Sequence, residues 1–254
     1  MTDIKIAFAS QAVYPNYCNR IKEHILKSYF ENNLQDHNIP YYITTNYTNL
    51  LEEYSNDKLI KVFDIDKIRA KDPFSIINEE LPENPIGLYP GKYPWNLHRY
   101  SIEQAALDGY NYIIYLDVDN KINQLNNSVY DQMIDLFEPN TVGTNMSIYY
   151  FKNRSPQETF QYHDKYISHF NFDFDIESIA SPDGPVQAFM GQSSEDVVRL
   201  INKWHTLTEY GYSISEGYRN SYLSNLSFSI PWAGFRVKHK NLPFTPHHVA
   251  EDRY

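Results

Sequence analysis

Residues 112–119 read Tyr112-Ile113-Ile114-Tyr115-Leu116-Asp117-Val118-Asp119. The apolar run predicts a core strand, and two aspartates separated by one residue follow it directly. Ligands of α/β proteins bind at the carboxyl ends of strands, and residues i and i+2 of an extended segment point the same way. Two carboxylates placed in this way can share one hard cation, which in turn can bind a diphosphate.

The Asp-x-Asp pattern alone is a weak indicator, because the chain contains it three times. The other copies are Asp64-Ile65-Asp66 and Asp173-Phe174-Asp175. The 117–119 copy is favoured by its context, since it follows the most apolar strand. That strand is preceded by an amphipathic helix over 97–107, which the pair Asp108-Gly109 ends.

Outward from this stretch, strands and helices alternate through the first half of the chain. Strands are predicted at 4–10, 40–45, 58–63, 111–116, 141–151, 226–230 and 235–238. Helices are predicted at 19–34, 97–107, 128–137, 156–169 and 193–210, and loops at 72–94 and 171–185. The alternation predicts an α/β sandwich with a mainly parallel sheet.

Composition and charge limit the function classes. The chain has 254 residues, with 22 Lys and Arg against 32 Asp and Glu, so its net charge of -10 argues against a nucleic-acid footprint over the whole surface. A local basic groove is still compatible with this charge. The single cysteine, Cys18, excludes an intramolecular disulfide and a cysteine-based zinc cage. No apolar run reaches the length of a membrane span and the first residues lack a signal-peptide pattern, so we expect a cytoplasmic protein.

Two blocks of the sequence carry a family resemblance. Residues 95–120, with Arg99, the segment 105–112 and the Asp-Val-Asp motif, resemble the GT-A fold of nucleotide-sugar-dependent glycosyltransferases. Residues 186–206 are similar to the donor and acceptor region of the blood-group A/B and α-1,3-galactosyltransferase family. The resemblance implies a GT-A type, Rossmann-like sandwich with helices on both faces of the sheet. It implies one glycosyltransferase domain over 1–254, with a nucleotide-sugar-binding half, 1–120, and an acceptor-binding half with a C-terminal tail, 121–254.

The resemblance also implies a metal site, and the family has an acidic residue beside the donor sugar. The metal, Mn²⁺ or Mg²⁺, would be held by Asp117, Asp119 and a late histidine, His248 or its neighbour His247. The two histidines are equally compatible with an exposed pair in the tail. The family's acidic motif Asp-Glu-Ser-x-Leu-Asn is replaced here by residues 219–224, so its acid becomes Asn220 and its retaining mechanism does not carry over. Glu216, one helical turn earlier, is either a base or stabilising carboxylate or a solvated surface residue.

The expected donor-binding residues lie in four parts of the chain. They are Ala9, Ser10, Tyr14, Trp95, Arg99, Asp117, Val118, Asp119, Gly191 and Gln192. Trp95 either stacks on the donor or fills core, and Arg99 contacts the donor phosphates or pairs with a surface carboxylate. The basic segment 236–254 either closes over the diphosphate or is a solvated face.

These features together predict a metal-dependent glycosyltransferase that moves a sugar from a UDP-sugar to a hydroxyl acceptor. The acceptor is a glycan or a hydroxymethylated base in phage DNA, and the basic C-terminal stretch favours DNA whereas the net charge opposes it. The alternatives are an inactive carbohydrate- or nucleotide-binding module and a sugar nucleotidyltransferase, although no Gly-rich loop follows the first strand. A haloacid-dehalogenase type phosphatase is disfavoured by Lys121 at the fifth position of its motif.

Overall fold

The computed structural model describes residues 3–69, 98–118, 120–122, 129–150, 165, 167–172, 180–214 and 238–241. The strands are β1 (Ile6–Ala12), β2 (Tyr41–Thr45), β3 (Ile60–Asp64), β4 (Tyr112–Leu116), β5 (Thr141–Tyr150), β6 (Ala180–Met190) and β7 (Lys238–Asn241). The α-helices are α1 (Pro15–Arg20), α2 (Lys27–Glu31), α3 (Ile65–Arg69), α4 (His98–Leu107), α5 (Val129–Leu136) and α6 (Ser194–Ile214). A π-helix, Ile21–Leu26, joins α1 to α2, and 3-10 helices span Leu34–His37 and Thr48–Tyr54.

The strands of the described residues form one seven-stranded sheet in the order β3-β2-β1-β4-β6-β5-β7. β3, β2, β1 and β4 are parallel to their neighbours, and β7 is parallel to β5. β6 is antiparallel to both β4 and β5, so β5 runs in the same direction as β4. β6 alone of these strands is therefore reversed, and the predicted mainly parallel sheet is confirmed.

Apolar side chains cover both faces of the sheet because strand residues alternate between faces. On one face, Phe8 and Ile114 pack with Ile25 and Tyr29 of the helical segment that follows β1. On the other face, Ala9 and the remaining alternate strand residues pack against two helices, which contribute Ile102, Ala105 and Ala106 from α4 and Val197, Leu200, Ile201 and Trp204 from α6. Helices on both faces are thus confirmed, and the topology is consistent with a GT-A type, Rossmann-like sandwich.

The predicted end of the helix before β4 is also confirmed. Gly109 has a φ of 93°, in the left-handed region that glycine adopts without steric cost. The Gly109 amide donates to the Ala106 carbonyl at 2.9 Å and the Tyr110 amide to the Ala105 carbonyl at 3.2 Å. This stop turns the chain within four residues from α4 into β4, whose end carries Asp117.

Two predictions need correction, and three further elements lie wholly or mostly outside the described residues. Residues 180–185, predicted as loop, belong to β6, because Ala180, Pro182 and Asp183 pair with β5. Residues 238–241 form the edge strand β7, so the basic segment 236–254 includes part of the sheet. The predicted loop 72–94, strand 226–230 and most of helix 156–169 lie outside the described residues. In the part of the chain that the structure covers, no helix is long and apolar enough to cross a membrane.

Candidate active site

The strand order marks one crevice at the carboxyl edge of the sheet. β1 pairs with β2 on one side and β4 on the other, so the chain changes direction across the sheet between β1 and β4. Ligands of open α/β sheets bind outside the carboxyl ends of the strands at such a switch point. Asp117 is the residue that follows β4 at this point.

Asp117 opens a tight turn after β4. Its carboxylate oxygen Oδ1 accepts a 2.9 Å hydrogen bond from the amide of Val118. Its carbonyl accepts from the Asn120 amide at 3.1 Å and from the Asn120 side-chain nitrogen at 2.9 Å. Val118 and Asn120 are both buried, whereas Asp117 is half-buried. The turn is therefore fixed by its own hydrogen bonds and by burial of Val118 and Asn120, and Asp117 is its first residue after β4.

Two buried polar side chains that the sequence reading did not select lie at the same edge. Gln11 Oε1 and Thr44 Oγ1 have no hydrogen-bond partner among the described residues, and both side chains are buried, Gln11 at 6% exposure and Thr44 fully. The two residues face each other in the β1–β2 register. Continuing the β1–β4 register two residues past Ala9 and Tyr115 brings Gln11 opposite Asp117. A polar residue at the end of an otherwise apolar strand was the signal available for both.

Unpaired polar groups in a protein interior carry a desolvation cost and call for a ligand or ordered water. Gln11 offers a carbonyl oxygen, and Thr44 offers a hydroxyl that can donate or accept. Strand alternation puts both on the face covered by α4 and α6. The edge thus combines a carboxylate with polar groups suited to hydrogen-bond a polar organic ligand.

The predicted donor contacts at the end of β1 have different environments. Ala9 of β1 is fully buried in the cluster that includes residues of α4. Ser10 is fully buried too, and its hydroxyl donates to the Leu116 carbonyl at 2.6 Å and accepts from the Tyr41 hydroxyl at 2.5 Å. The side chains of Ala9 and Ser10 therefore serve the core, and their placement does not support contact with a nucleoside.

Tyr14 lies at the carboxyl edge in a small apolar cluster, packed with Val13, Ile65 and Tyr100. Its ring meets Tyr17 edge to face at 5.0 Å between centroids. Burial, with a smaller contribution from Tyr47, raises the pKa of the Tyr14 phenol, so this hydroxyl is neutral at physiological pH. Tyr14 is thus compatible with a stacking or hydrogen-bonding contact at this edge.

The same cluster locates the first turn of α4. Tyr100 packs on Val13, which follows β1, so the amino end of α4 lies at the carboxyl edge of the sheet. Arg99 belongs to that turn, on the side of the sheet where the predicted phosphate contact would be made. Its backbone position is therefore compatible with that prediction.

Gly191 and Gln192 lie at the opposite edge. Met190 pairs with Tyr112, the first residue of β4, and the Gly191 amide donates to the Asn111 carbonyl at 2.8 Å. Five strand residues separate this edge from Asp117, about 16 Å at the usual rise of a strand. The structure does not bring Gly191 and Gln192 together with Asp117, and Gln192 instead lines an open groove with Lys5 and Glu195.

Six predicted site residues lie outside the described residues: Trp95, Asp119, Glu216, Asn220, His247 and His248. Among the residues that the structure does describe, no three His, Cys, Asp or Glu side chains are grouped so as to hold a metal ion. Asp117 supplies a hard carboxylate oxygen at the strand end, which is the ligand type that Mg²⁺ and Mn²⁺ accept. The described member of the predicted ligand set therefore fits such a cation.

The second Asp-x-Asp copy has a local structural role. Asp64 Oδ1 accepts from the amides of Asp66 at 3.0 Å and Lys67 at 3.3 Å, which caps the first turn of α3. The Lys67 ammonium lies 3.4 Å from the other carboxylate oxygen of Asp64. Asp64 is the last residue of the edge strand β3, away from the switch point.

No protein-family model matches the chain, and no curated protein does so either. Among solved structures, the chain is similar to the crystal structure of mouse xyloside xylosyltransferase 1 in its apo form. That match has a TM-score of 0.46 and 14% sequence identity, and it covers 94% of this chain and 85% of the other. Similarity at this level assigns no activity to the chain.

Proposed function

We propose that the chain is a metal-dependent glycosyltransferase that transfers a sugar from a UDP-sugar to a hydroxyl acceptor. One observation carries the proposal: Asp117, the first aspartate of the Asp-Val-Asp motif, lies at the carboxyl end of β4 beside the β1–β4 switch point. This is where an α/β sheet binds ligands, and the residue type is one that binds a divalent cation. The oxygens of Gln11 and Thr44 at the same edge, which have no hydrogen-bond partner in the described part of the chain, support a polar ligand there.

In this proposal Asp117 and Asp119 hold Mn²⁺ or Mg²⁺, and His248 or His247 completes the protein ligands. The cation, when bound, neutralises charge on the leaving diphosphate. The Asp117 turn is fixed by its own hydrogen bonds, so its carboxylate is oriented before the donor arrives. Arg99 lies on the carboxyl side of the sheet and is the proposed cationic contact to the donor phosphates.

The remaining roles follow the division of the domain at residue 120. Residues 1–120 bind the nucleotide sugar, with Tyr14, Trp95 and Val118 among the donor contacts. Residues 121–254 bind the acceptor, and Glu216 or Asn220 acts on the acceptor hydroxyl or stabilises the reacting sugar. Of the two blocks that carry the resemblance, 95–120 contributes Asp117, whereas 186–206 contributes the end of β6 and the first part of α6.

The acceptor is a glycan or a hydroxymethylated base in DNA. A transfer assay with UDP-sugars and Mn²⁺ tests the proposal against oligosaccharides and against DNA containing hydroxymethylcytosine, with unmodified DNA of the same sequence as the control. We expect sugar transfer to one acceptor class that chelation of the metal abolishes. Nucleotide binding without transfer or donor hydrolysis would instead indicate a binding module, and release of diphosphate from UTP and a sugar phosphate would indicate a nucleotidyltransferase.

A further inference from the structure

The helical segment after β1 makes two hydrogen bonds to the backbone of the segment that follows Asp117. The backbone amide of Ile122 donates a 2.9 Å hydrogen bond to Ser28 Oγ. The backbone carbonyl of the same residue accepts a 2.9 Å hydrogen bond from the side-chain nitrogen of Asn32. Both polar backbone groups of Ile122 are therefore bound by side chains ninety or more positions earlier in the sequence.

These two side chains are themselves fixed. Ser28 Oγ donates to the Ile25 carbonyl at 2.9 Å, so its hydrogen points away from Ile122 and a lone pair is left to accept the Ile122 amide. The Asn32 side-chain nitrogen also donates to the Ser28 carbonyl at 2.7 Å. Ser28 is 5% exposed and Ile122 packs against the core, so the hydrogen bond between Ser28 and Ile122 is buried.

The result is a short segment held at both ends. Before the turn, Ser10 binds the Leu116 carbonyl, and after it, Ser28 and Asn32 bind Ile122. Only the residues between these anchors carry the Asp-Val-Asp motif. Two carboxylates bind one cation well only when their separation and direction are already set, because ordering the backbone at the moment of binding lowers affinity.

We propose that Ser28 and Asn32 are positioning residues that set the metal affinity of the Asp-Val-Asp turn. They act through the backbone of Ile122 and touch neither metal nor donor. This inference rests on the proposed function, because it concerns the cation that Asp117 is proposed to hold. It predicts weaker metal binding, rather than slower chemistry, when either side chain loses its hydrogen bond.

The variants are Ser28→Ala, which removes the acceptor for the Ile122 amide, and Asn32→Leu, which removes the donor to the Ile122 carbonyl at similar volume. Ser28→Thr keeps the hydroxyl and serves as the conservative variant. Tyr29→Phe is the matched control. Tyr29 lies in α2 beside Ser28, and the substitution removes its 2.7 Å hydrogen bond to the Ile39 carbonyl, which lies away from the turn. All four are made in the full chain.

Mn²⁺ binding in the presence of UDP is measured by the loss of the free-ion electron paramagnetic resonance signal, and the Mn²⁺ dependence of donor hydrolysis gives the activation constant and the maximal rate. We expect Ser28→Ala and Asn32→Leu to weaken Mn²⁺ binding by about tenfold, the lower end of the usual outer-shell effect. The maximal rate at saturating Mn²⁺ should fall by less, and Ser28→Thr should bind Mn²⁺ more tightly than Ser28→Ala.

Tyr29→Phe should lower the melting temperature about as much as Ser28→Ala and Asn32→Leu do, but it should leave Mn²⁺ affinity unchanged. Unchanged affinity in Ser28→Ala and Asn32→Leu, or an equal loss in Tyr29→Phe, would overturn this inference alone. If Ser28→Ala does not fold, Asn32→Leu decides the matter by the same criterion. A wild-type protein that binds no Mn²⁺ with UDP would overturn the proposed function, and this inference with it.

Discussion

The hydroxyl of Ser10 donates a 2.6 Å hydrogen bond to the backbone carbonyl of Leu116, the residue before Asp117. The contact is fully buried, and the Tyr41 hydroxyl donates to the same Ser10 oxygen from β2. Ser10 therefore links three adjacent strands, β2, β1 and β4, at the edge where the crevice opens.

Ser10→Ala should destabilise the protein by about 1–3 kcal/mol, because it leaves the Leu116 carbonyl and the Tyr41 hydroxyl buried without this partner. Tyr41→Phe removes one donor and leaves the Ser10–Leu116 bond intact, so it should cost about 1 kcal/mol. Urea denaturation measures both free energies of unfolding. Equal stability of Ser10→Ala and wild type would show that Ser10 does not link these strands.

Ser10 shows how far strand position can be read from sequence. The first strand is confirmed as a central strand, between β2 and β4, as an apolar run at the start of an α/β pattern predicts. Which side chains of that strand face the crevice was not readable. A small polar residue such as Ser10 is compatible with the core and with a crevice. Only its hydrogen bonds with Tyr41 and Leu116 show that its hydroxyl is used within the core.

Thr44→Val should leave the free energy of unfolding unchanged or slightly higher, because it replaces a buried hydroxyl that no described residue hydrogen-bonds by a methyl group of the same shape. It should weaken binding of UDP with Mn²⁺ by about tenfold, which corresponds to the loss of about one hydrogen bond. Calorimetric titration and urea denaturation on the same preparation measure the two quantities.

Thr45→Val is the control for that variant. Thr45 is the next residue of β2, its side chain lies on the opposite face, and its hydroxyl accepts from the Tyr47 amide at 3.0 Å. Thr45→Val should therefore lower stability and leave UDP affinity unaltered. The reverse pattern, with Thr44→Val less stable and UDP binding intact, would mean that the Thr44 hydroxyl has a structural role.

The composition of residues 180–185 explains why this part of β6 was predicted as loop. Residues 180–185 include Pro182, Gly184 and Pro185, and such residues are typical of turns and rare in central strands. They form strand nevertheless because β5 pairs with them, in a register that shifts between Thr144 and Asn145 and again between Met146 and Tyr150. Pairing of this kind depends on distant partners and is not visible in local composition.

Nucleotide preference follows from the proposed donor. In the presence of Mn²⁺, UDP should bind more tightly than GDP or CDP in calorimetric titrations, as the family resemblance implies. Gln11 supplies an acceptor oxygen at the crevice edge for a donor group such as a ring imide N–H. Tighter binding of GDP or CDP would refute the assignment of the donor.

Removal of residues 245–254 should lower transfer sharply and weaken donor binding, because it removes His247 and His248 and the acidic and basic groups beside them. The deletion begins after β7, so the edge strand and its pairing with β5 are retained. The melting temperature of the ligand-free protein should change little. Full activity in the truncated protein would exclude both histidines from the metal site.

The central claim is that Asp117 binds the cation that holds the donor diphosphate. Asp117→Asn is the sharpest variant, because an amide oxygen can still accept from the Val118 amide while the negative charge is lost. Asp64→Asn is the matched control, since asparagine caps a helix as well as aspartate does and Asp64 caps α3.

The deciding measurement is the calorimetric affinity of each protein for UDP across a Mn²⁺ titration. In Asp117→Asn, the gain in UDP affinity that Mn²⁺ produces should fall at least about 100-fold, because loss of a direct ligand costs more than the usual outer-shell effect. The melting temperature should not change. Asp64→Asn should behave as wild type. Mn²⁺-dependent UDP binding that survives intact in Asp117→Asn would contradict the account.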